Sequence, residues 1–179
     1  MGRSDYSLTI GGFRSMTDYS FFGLKLFAAL GCGLIAGVFF AFSAFVMSAL
    51  ARLQPAQGIA AMQSINITAI SPLFMTALFG TAAACVLLAI SSLSKLPQPV
   101  AIYQFLGSLC YLLGTIVVTI AFNVPLNDAL AKVEPNSPQG LSLWASYLTT
   151  WTNWNHLRTI SASISAVLFT LALVDRSVK

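Results

Sequence analysis

The sequence predicts an all-α membrane protein, a four-transmembrane-helix bundle with a short interfacial amphipathic helix before the last span. Three observations carry this. Apolar residues make up 57% of the chain and charged residues 8%, where a soluble domain has about 25% charged. The apolar residues gather in four long stretches, each near the ~20 residues that cross a bilayer as a helix. Leu141 to Trp154, ahead of the fourth stretch, is amphipathic and aromatic, the composition of a helix lying in the interface.

The elements follow in order. Met1 to Ser20 is a polar N-terminal tail with Arg3, Asp5, Arg14, Asp18 and a Gly11-Gly12 break, expected to be loose. The transmembrane domain occupies 21–176. Span one, 24–50, is too long for a signal-peptide core of about 7–15 residues, so it is expected to be retained. In it Ala29, Gly33, Gly37 and Ala41 recur every fourth residue. Such a ladder lets a neighbouring helix approach closely in lipid; the alternative is room for a flat ligand. The connection from Arg52 to Ser71 holds Pro55 and a short helix bearing Gln63 and Asn66. Its Asn66-Ile67-Thr68 glycosylation pattern lies too near apolar segments to be used. Span two, 72–93, opens on Pro72, a residue suited to a first helical turn. A short Ser-Ser-Leu-Ser-Lys-Leu-Pro-Gln-Pro stretch, overlapping the end of span two, leads to span three, 100–122, which meets Asn123-Val-Pro-Leu-Asn127-Asp128. Leu130 to Gly140 reads as a loop, and span four, 156–174, closes the domain.

Charge sets the expected topology. Arg3, Arg14, Lys25, Lys95, Arg176 and Lys179 fall on one side and Arg52, Lys132 and Arg158 on the other. The positive-inside rule then makes this a multi-pass protein with both termini cytoplasmic. Net charge is only +4, and no basic run interleaves with aromatics, so no nucleic-acid partner is expected. Cys32, Cys85 and Cys110 lie singly inside spans and read as small apolar residues.

The candidate functional residues converge on the non-cytoplasmic half. Asn66, Asn123, Asn127, Trp151, Asn155, His156 and Arg158 come from three segments, and polar groups at membrane depth are costly unless they pair or line a cavity. Trp151, Asn155 and Arg158 share a helix face, with His156 one step round from Asn155. Each has a plainer reading. The two asparagines flanking Pro125 can cap a helix end, the tryptophans, Trp144 above all, suit an aromatic belt, and Arg158 can pair structurally with Asp128. One histidine without a carboxylate cluster supplies no zinc or di-iron site, so no metal is expected. A haem with His156 as its single axial ligand is a minor alternative.

Gly33 to Phe42 with its G-x-x-x-G and aromatic run, Met62-Gln63-x-Ile-Asn66, Phe122-Asn-x-Pro-Leu-Asn127 and Trp151-x-x-x-Asn155-x-x-Arg158 occur in that order. The pattern resembles the anthrone oxygenase-like family of small four-span membrane proteins, many of them filed as a domain of unknown function. The resemblance implies oxidation of a flat apolar anthrone or hydroquinone by dioxygen, without metal or flavin. In those terms His156 is the base, since histidine alone has an ordinary pKa near neutrality. Arg158 with Asn155 holds the developing oxyanion. Gln63, Asn66, Asn123 and Asn127 orient the substrate's oxygens, and Trp151 stacks on its rings. An apolar molecule, dioxygen and the bilayer are the expected partners, with self-association left open. Two other classes stay open: a non-catalytic carrier of a lipid-like molecule, and a subunit whose amides join helices.

Overall fold

A computed structural model describes the backbone of residues 5–175 and the side chains of 19–175. The described chain is helical almost throughout and contains no strand. α1 (Asp5–Ala41) passes through a π-helical turn (Phe42–Val46) into α2 (Met47–Ala51). α3 (Pro55–Ala69) and α4 (Pro72–Leu93) follow. α5 (Pro99–Tyr111) continues through two π-helical segments, Leu112–Val117 and Thr119–Asn123, into α6 (Val124–Ala131), and α7 (Pro138–Val174) ends the fold. Four helical stretches are long and apolar enough to cross a membrane: Tyr19–Ala51, Pro72–Leu93, Pro99–Ala131 and Pro138–Val174.

Proline marks where helices begin. Pro55, Pro72, Pro99 and Pro138 each occupy a first turn, where the missing N–H costs nothing. Ser71 and Ser137 cap two of these starts, accepting from the Phe74 and Gly140 amides at 3.4 and 3.0 Å.

The spans pack as an antiparallel ring. α1 lies against α4 and α7, and α5 lies against the same two. Lys25 Nζ donates to the Ala172 carbonyl at 3.4 Å, joining the start of the first span to the end of the last. Lys95, in the loop between spans two and three, sits over the Phe21 ring at 5.0 Å. The charge-based expectation makes this the inner end of the bundle. Here the helices meet through small residues and hydroxyls. A methyl group on Gly31 would overlap Thr81, and one on Gly114 would overlap Ser161. Tyr111 donates to the Leu78 carbonyl at 3.1 Å and Ser165 to the Gly107 carbonyl at 2.9 Å. Around them Ile35, Cys32, Cys85, Leu88 and Phe169 form one apolar core.

The structure revises four expectations. The polar segment read as a loose tail has helical backbone from Asp5 onward, running through Gly11-Gly12; each glycine there costs about 1 kcal/mol of helix propensity without forbidding the helix. Leu141 to Trp154 is no separate in-plane helix. It is the first part of α7, whose 37 residues extend about 55 Å, against a hydrocarbon core of about 30 Å. No glycine or proline stands between Leu141 and Val174 to break it. The third span likewise runs past Asn123 to Ala131. A proline inside a helix clashes with the carbonyl four residues back, and the widened turn Thr119–Asn123 just before Pro125 takes up that misfit. Finally, Gly33 and Gly37 have open space beside them and are exposed. Of the ladder, Ala29 packs in the core while its two glycines seat no neighbour within the chain; Gly31, two residues before Gly33, makes the close approach.

Because the long helices outreach a bilayer, their outer ends form a second core with α3. Met47, Leu50, Ile59, Met62, Leu130, Trp144, Tyr147 and Trp151 build it. Gln63 fastens α3 in place, its amide donating to the Leu130 and Val133 carbonyls at 2.8 and 3.0 Å. Trp144 is 3% exposed and lies so close to Gly58 that a side chain there would overlap its ring. It belongs to this core and not to an aromatic belt.

Candidate functional site

A cavity of about 750 Å³ opens where the outer core meets the membrane-level bundle. Phe39, Phe42, Met62, Ile65, Phe74 and Leu78 make its walls mostly apolar. The polar groups on it come from four segments: Gln63 and Asn66 from α3, Thr119 from the π-helical segment, Asn127 and Asp128 from α6, and Arg158 from α7. Arg158 is 16 residues before Val174, about 24 Å along the helix, near the outer edge of a bilayer core.

Arg158 is the buried charge of the site, 4% exposed. Nη2 donates to Asn155 Oδ1 at 2.9 Å and Nη1 to Thr119 Oγ1 at 3.2 Å. The guanidinium lies over the Phe39 ring at 4.1 Å and near Trp151 at 5.1 Å. Arginine is weakly hydrated and stacks well on aromatic faces, which offsets part of the cost of removing it from water. Nε is buried without a partner. Among the described residues no ion pair joins Arg158 to Asp128, so the structural pair the sequence allowed is not formed.

Asn155 is fully buried and holds Arg158 from behind. Its Nδ2 donates to the Phe39 carbonyl and to Ser43 Oγ, both at 2.7 Å. Ser43 lies in the π-helical turn of the first span, where Met47 N–H closes onto the Phe42 carbonyl five residues back. Ser43 and Thr159 hydroxyls meet at 3.2 Å, and Thr159 donates to the Asn155 carbonyl at 2.9 Å. With both its amide ends engaged, Asn155 fixes the guanidinium plane against the first span.

A second network orients the aromatic wall. Asn127 Oδ1 accepts from the Tyr147 hydroxyl and from Trp151 Nε1, each at 2.8 Å. Tyr147 stacks between Trp144 and Trp151, with centroids 5.6 and 6.0 Å away, and Phe42 meets Trp151 at 5.6 Å. Asn123 donates to the Trp151 carbonyl at 3.2 Å, leaving its own Oδ1 without a partner. Asn66 Nδ2 is also buried and unpartnered.

The sequence candidates therefore separate. Gln63, Asn66, Asn127, Trp151 and Arg158 line the cavity, although Gln63 spends its amide on backbone carbonyls. Asn123 and Asn155 stand behind the wall and hold Trp151 and Arg158. His156 is elsewhere. It is exposed and lines no part of the cavity, because one residue along a helix turns a side chain about 100° from Asn155. A base at His156 is thus out of reach of this cavity, and a haem on His156 would lie outside it. The sequence reading did not single out Tyr147, Thr119, Ser43 or Phe39 for the site; only their place beside buried amides reveals them. Among the described residues no three His, Cys, Asp or Glu side chains gather as a metal set.

Neither a curated protein nor a solved structure matches the chain. The anthrone oxygenase family model matches residues 71–168, more than half of the sequence. That stretch carries Asn123, Asn127, Trp151, Asn155 and Arg158, and leaves Gln63, Asn66 and the glycine run outside it. On this match, the chain belongs to the anthrone oxygenase family.

Proposed function

We propose that the protein is a membrane-embedded oxygenase that binds a flat, apolar anthrone- or hydroquinone-like molecule in the cavity and oxidises it with dioxygen, needing no metal, flavin or haem. The observation that carries the reading is Arg158, a buried guanidinium on a residue that lines an apolar cavity. Family membership supports an oxygenase-like role, and a cavity of this volume lies within the range that encloses a drug-sized ligand, about 300–1,000 Å³.

The chemistry asks for little. Removing a proton from an anthrone leaves an electron-rich oxyanion, which reduces dioxygen directly. Arg158 holds that oxyanion, and it is fixed for the task in advance by Asn155 and Thr119. Donors preorganised in a dry site gain most as charge develops. Phe39, Phe42 and Trp151 flank the rings, and Asn66, which lines the cavity, orients a second oxygen. Substrate arrives from the bilayer. Both termini lie in the cytoplasm, a reading supported by the lysines gathered at the inner end, and the cavity faces the other side.

Oxygen uptake by the purified protein in detergent tests this. An anthrone should drive uptake at one dioxygen per substrate, giving the quinone. Tight binding without uptake above the protein-free rate would make the protein a carrier and overturn the enzymatic reading.

A further inference from the structure

We infer that Asp128 is the base of the proposed reaction and that a water-filled groove on its outer side exchanges its proton with solvent. The inference rests on the functional reading above. A base for a molecule held in the cavity must line it. Gln63, Asn66 and Asn127 are amides, and a guanidinium has donors only. Asp128 is the carboxylate among the residues that line the cavity.

Its position is unusual in a second way. A groove of about 790 Å³ lies between α6 and the start of α7, lined by Pro125, Lys132, Gln139, Ser142 and Ser146 among others. Asp128 lines both spaces, and no other residue does. It is exposed, and among the described residues no ion pair occupies it. Its neighbour Asn127 is pinned by Tyr147 and Trp151, so α6 cannot turn freely and Asp128 stays at the boundary. One face of the residue meets the apolar chamber and the other the open groove of mixed lining.

The steps balance. A C–H bond of the substrate's methylene breaks, the proton goes to Asp128, and the electron pair delocalises onto the ring oxygen beside Arg158. The anion reduces dioxygen and a C–O bond forms. Asp128 returns its proton to the peroxide. Loss of the second methylene proton, again to Asp128, cleaves the O–O bond and gives the carbonyl and hydroxide, which takes the proton back from Asp128 and leaves as water. One dioxygen is reduced and one CH₂ becomes C=O. Between turnovers the groove equilibrates Asp128 with bulk water.

Hydrogen exchange isolates the first step from oxidation. Under anaerobic conditions in D₂O, the protein in detergent should accelerate deuterium entry into the methylene of anthrone. Asp128→Asn should lower that acceleration about 10²–10⁴-fold, the usual loss for a general base, and Asp128→Glu should restore part of it. Quenching of tryptophan fluorescence by anthrone and the melting temperature should stay at wild-type values, since Asp128 is exposed. Wild-type exchange in Asp128→Asn overturns the assignment of the base and leaves the oxygenase reading standing. Exchange by the wild-type protein no faster than in protein-free solution, together with no oxygen uptake, removes both.

Discussion

The inner and outer halves of the bundle bury polar groups in different ways. In the inner half most buried polar atoms are hydroxyls, beside the Gln104 amide. Ser165 and Tyr111 donate to backbone carbonyls of neighbouring helices, and those left unpartnered, on Thr81, Ser108 and Thr115, are small. In the outer half they are amides and a guanidinium, and they bond largely to other side chains: Arg158 to Asn155 and Thr119, Tyr147 and Trp151 to Asn127. The unpartnered atoms there are Asn66 Nδ2, Asn123 Oδ1, Thr152 Oγ1 and Arg158 Nε. A lone hydroxyl costs less to bury than an amide end, and far less than part of a charge. The inner half is built for helix contact. The outer half carries polar capacity that its own fold does not use, and two of those groups, on Asn66 and Arg158, belong to residues that line the cavity.

Arg158→Lys strikes this contrast hardest. Lysine keeps the charge and loses the planar fork. It cannot hold Asn155 and Thr119 together while stacking on Phe39. If Arg158 grips the oxyanion, kcat for anthrone oxidation falls about 10²–10³-fold, the usual cost of one lost oxyanion donor, with a smaller change in KM. Stopped-flow oxygen consumption on folded protein checks it. Full activity in this variant would make the guanidinium purely structural.

The next effect falls one helical turn inward of Arg158, at Ser161. A methyl on Gly114 overlaps Ser161 Cβ as well as its hydroxyl, so rotation of the hydroxyl gives no escape. Gly114→Ala should destabilise the protein by about 1–3 kcal/mol, the range for overpacking, read as a lower melting temperature in detergent. Gly37→Ala meets open space and should leave the melting temperature unchanged. The pair separates a glycine needed for contact from one that is not. Equal losses would show that the first-span ladder is covered in the folded protein.

How far sequence reached follows the same division. Hydropathy gave four spans because lipid imposes one requirement on every residue of a span. Arg158, Trp151, Asn127 and Asn66, which share the lining of one cavity, were legible as candidates because polar side chains at membrane depth need a reason to be there. The π-helical turns were not legible. They depend on how Asn155 and Pro125 meet neighbouring backbone, which no local pattern records. The unbroken course of α7 was hidden because Leu141 to Trp154 has the composition of an interfacial helix, although here its aromatic side packs on α3. Gly33 and Gly37 misled since a small-residue stripe looks the same facing a helix or facing lipid.

His156→Ala gives the smallest expected effect and the sharpest test of rotation around α7. His156 and Asn155 are adjacent in sequence, and only Asn155 is buried. Composition alone favours the histidine as base, because it is the one side chain with an ordinary pKa near neutrality. The proposed reaction needs a base on the cavity wall, and His156 is not on it. Exposed substitutions away from special features usually change stability by no more than about 0.5 kcal/mol. His156→Ala should therefore keep the melting temperature, anthrone binding and anaerobic methylene exchange of the wild type. Asn155→Ala, one residue earlier, removes the clamp on the guanidinium and should lower kcat. A His156→Ala variant that binds anthrone but has lost exchange would return the base to the histidine, and would require α7 to turn by about 100° when substrate is bound.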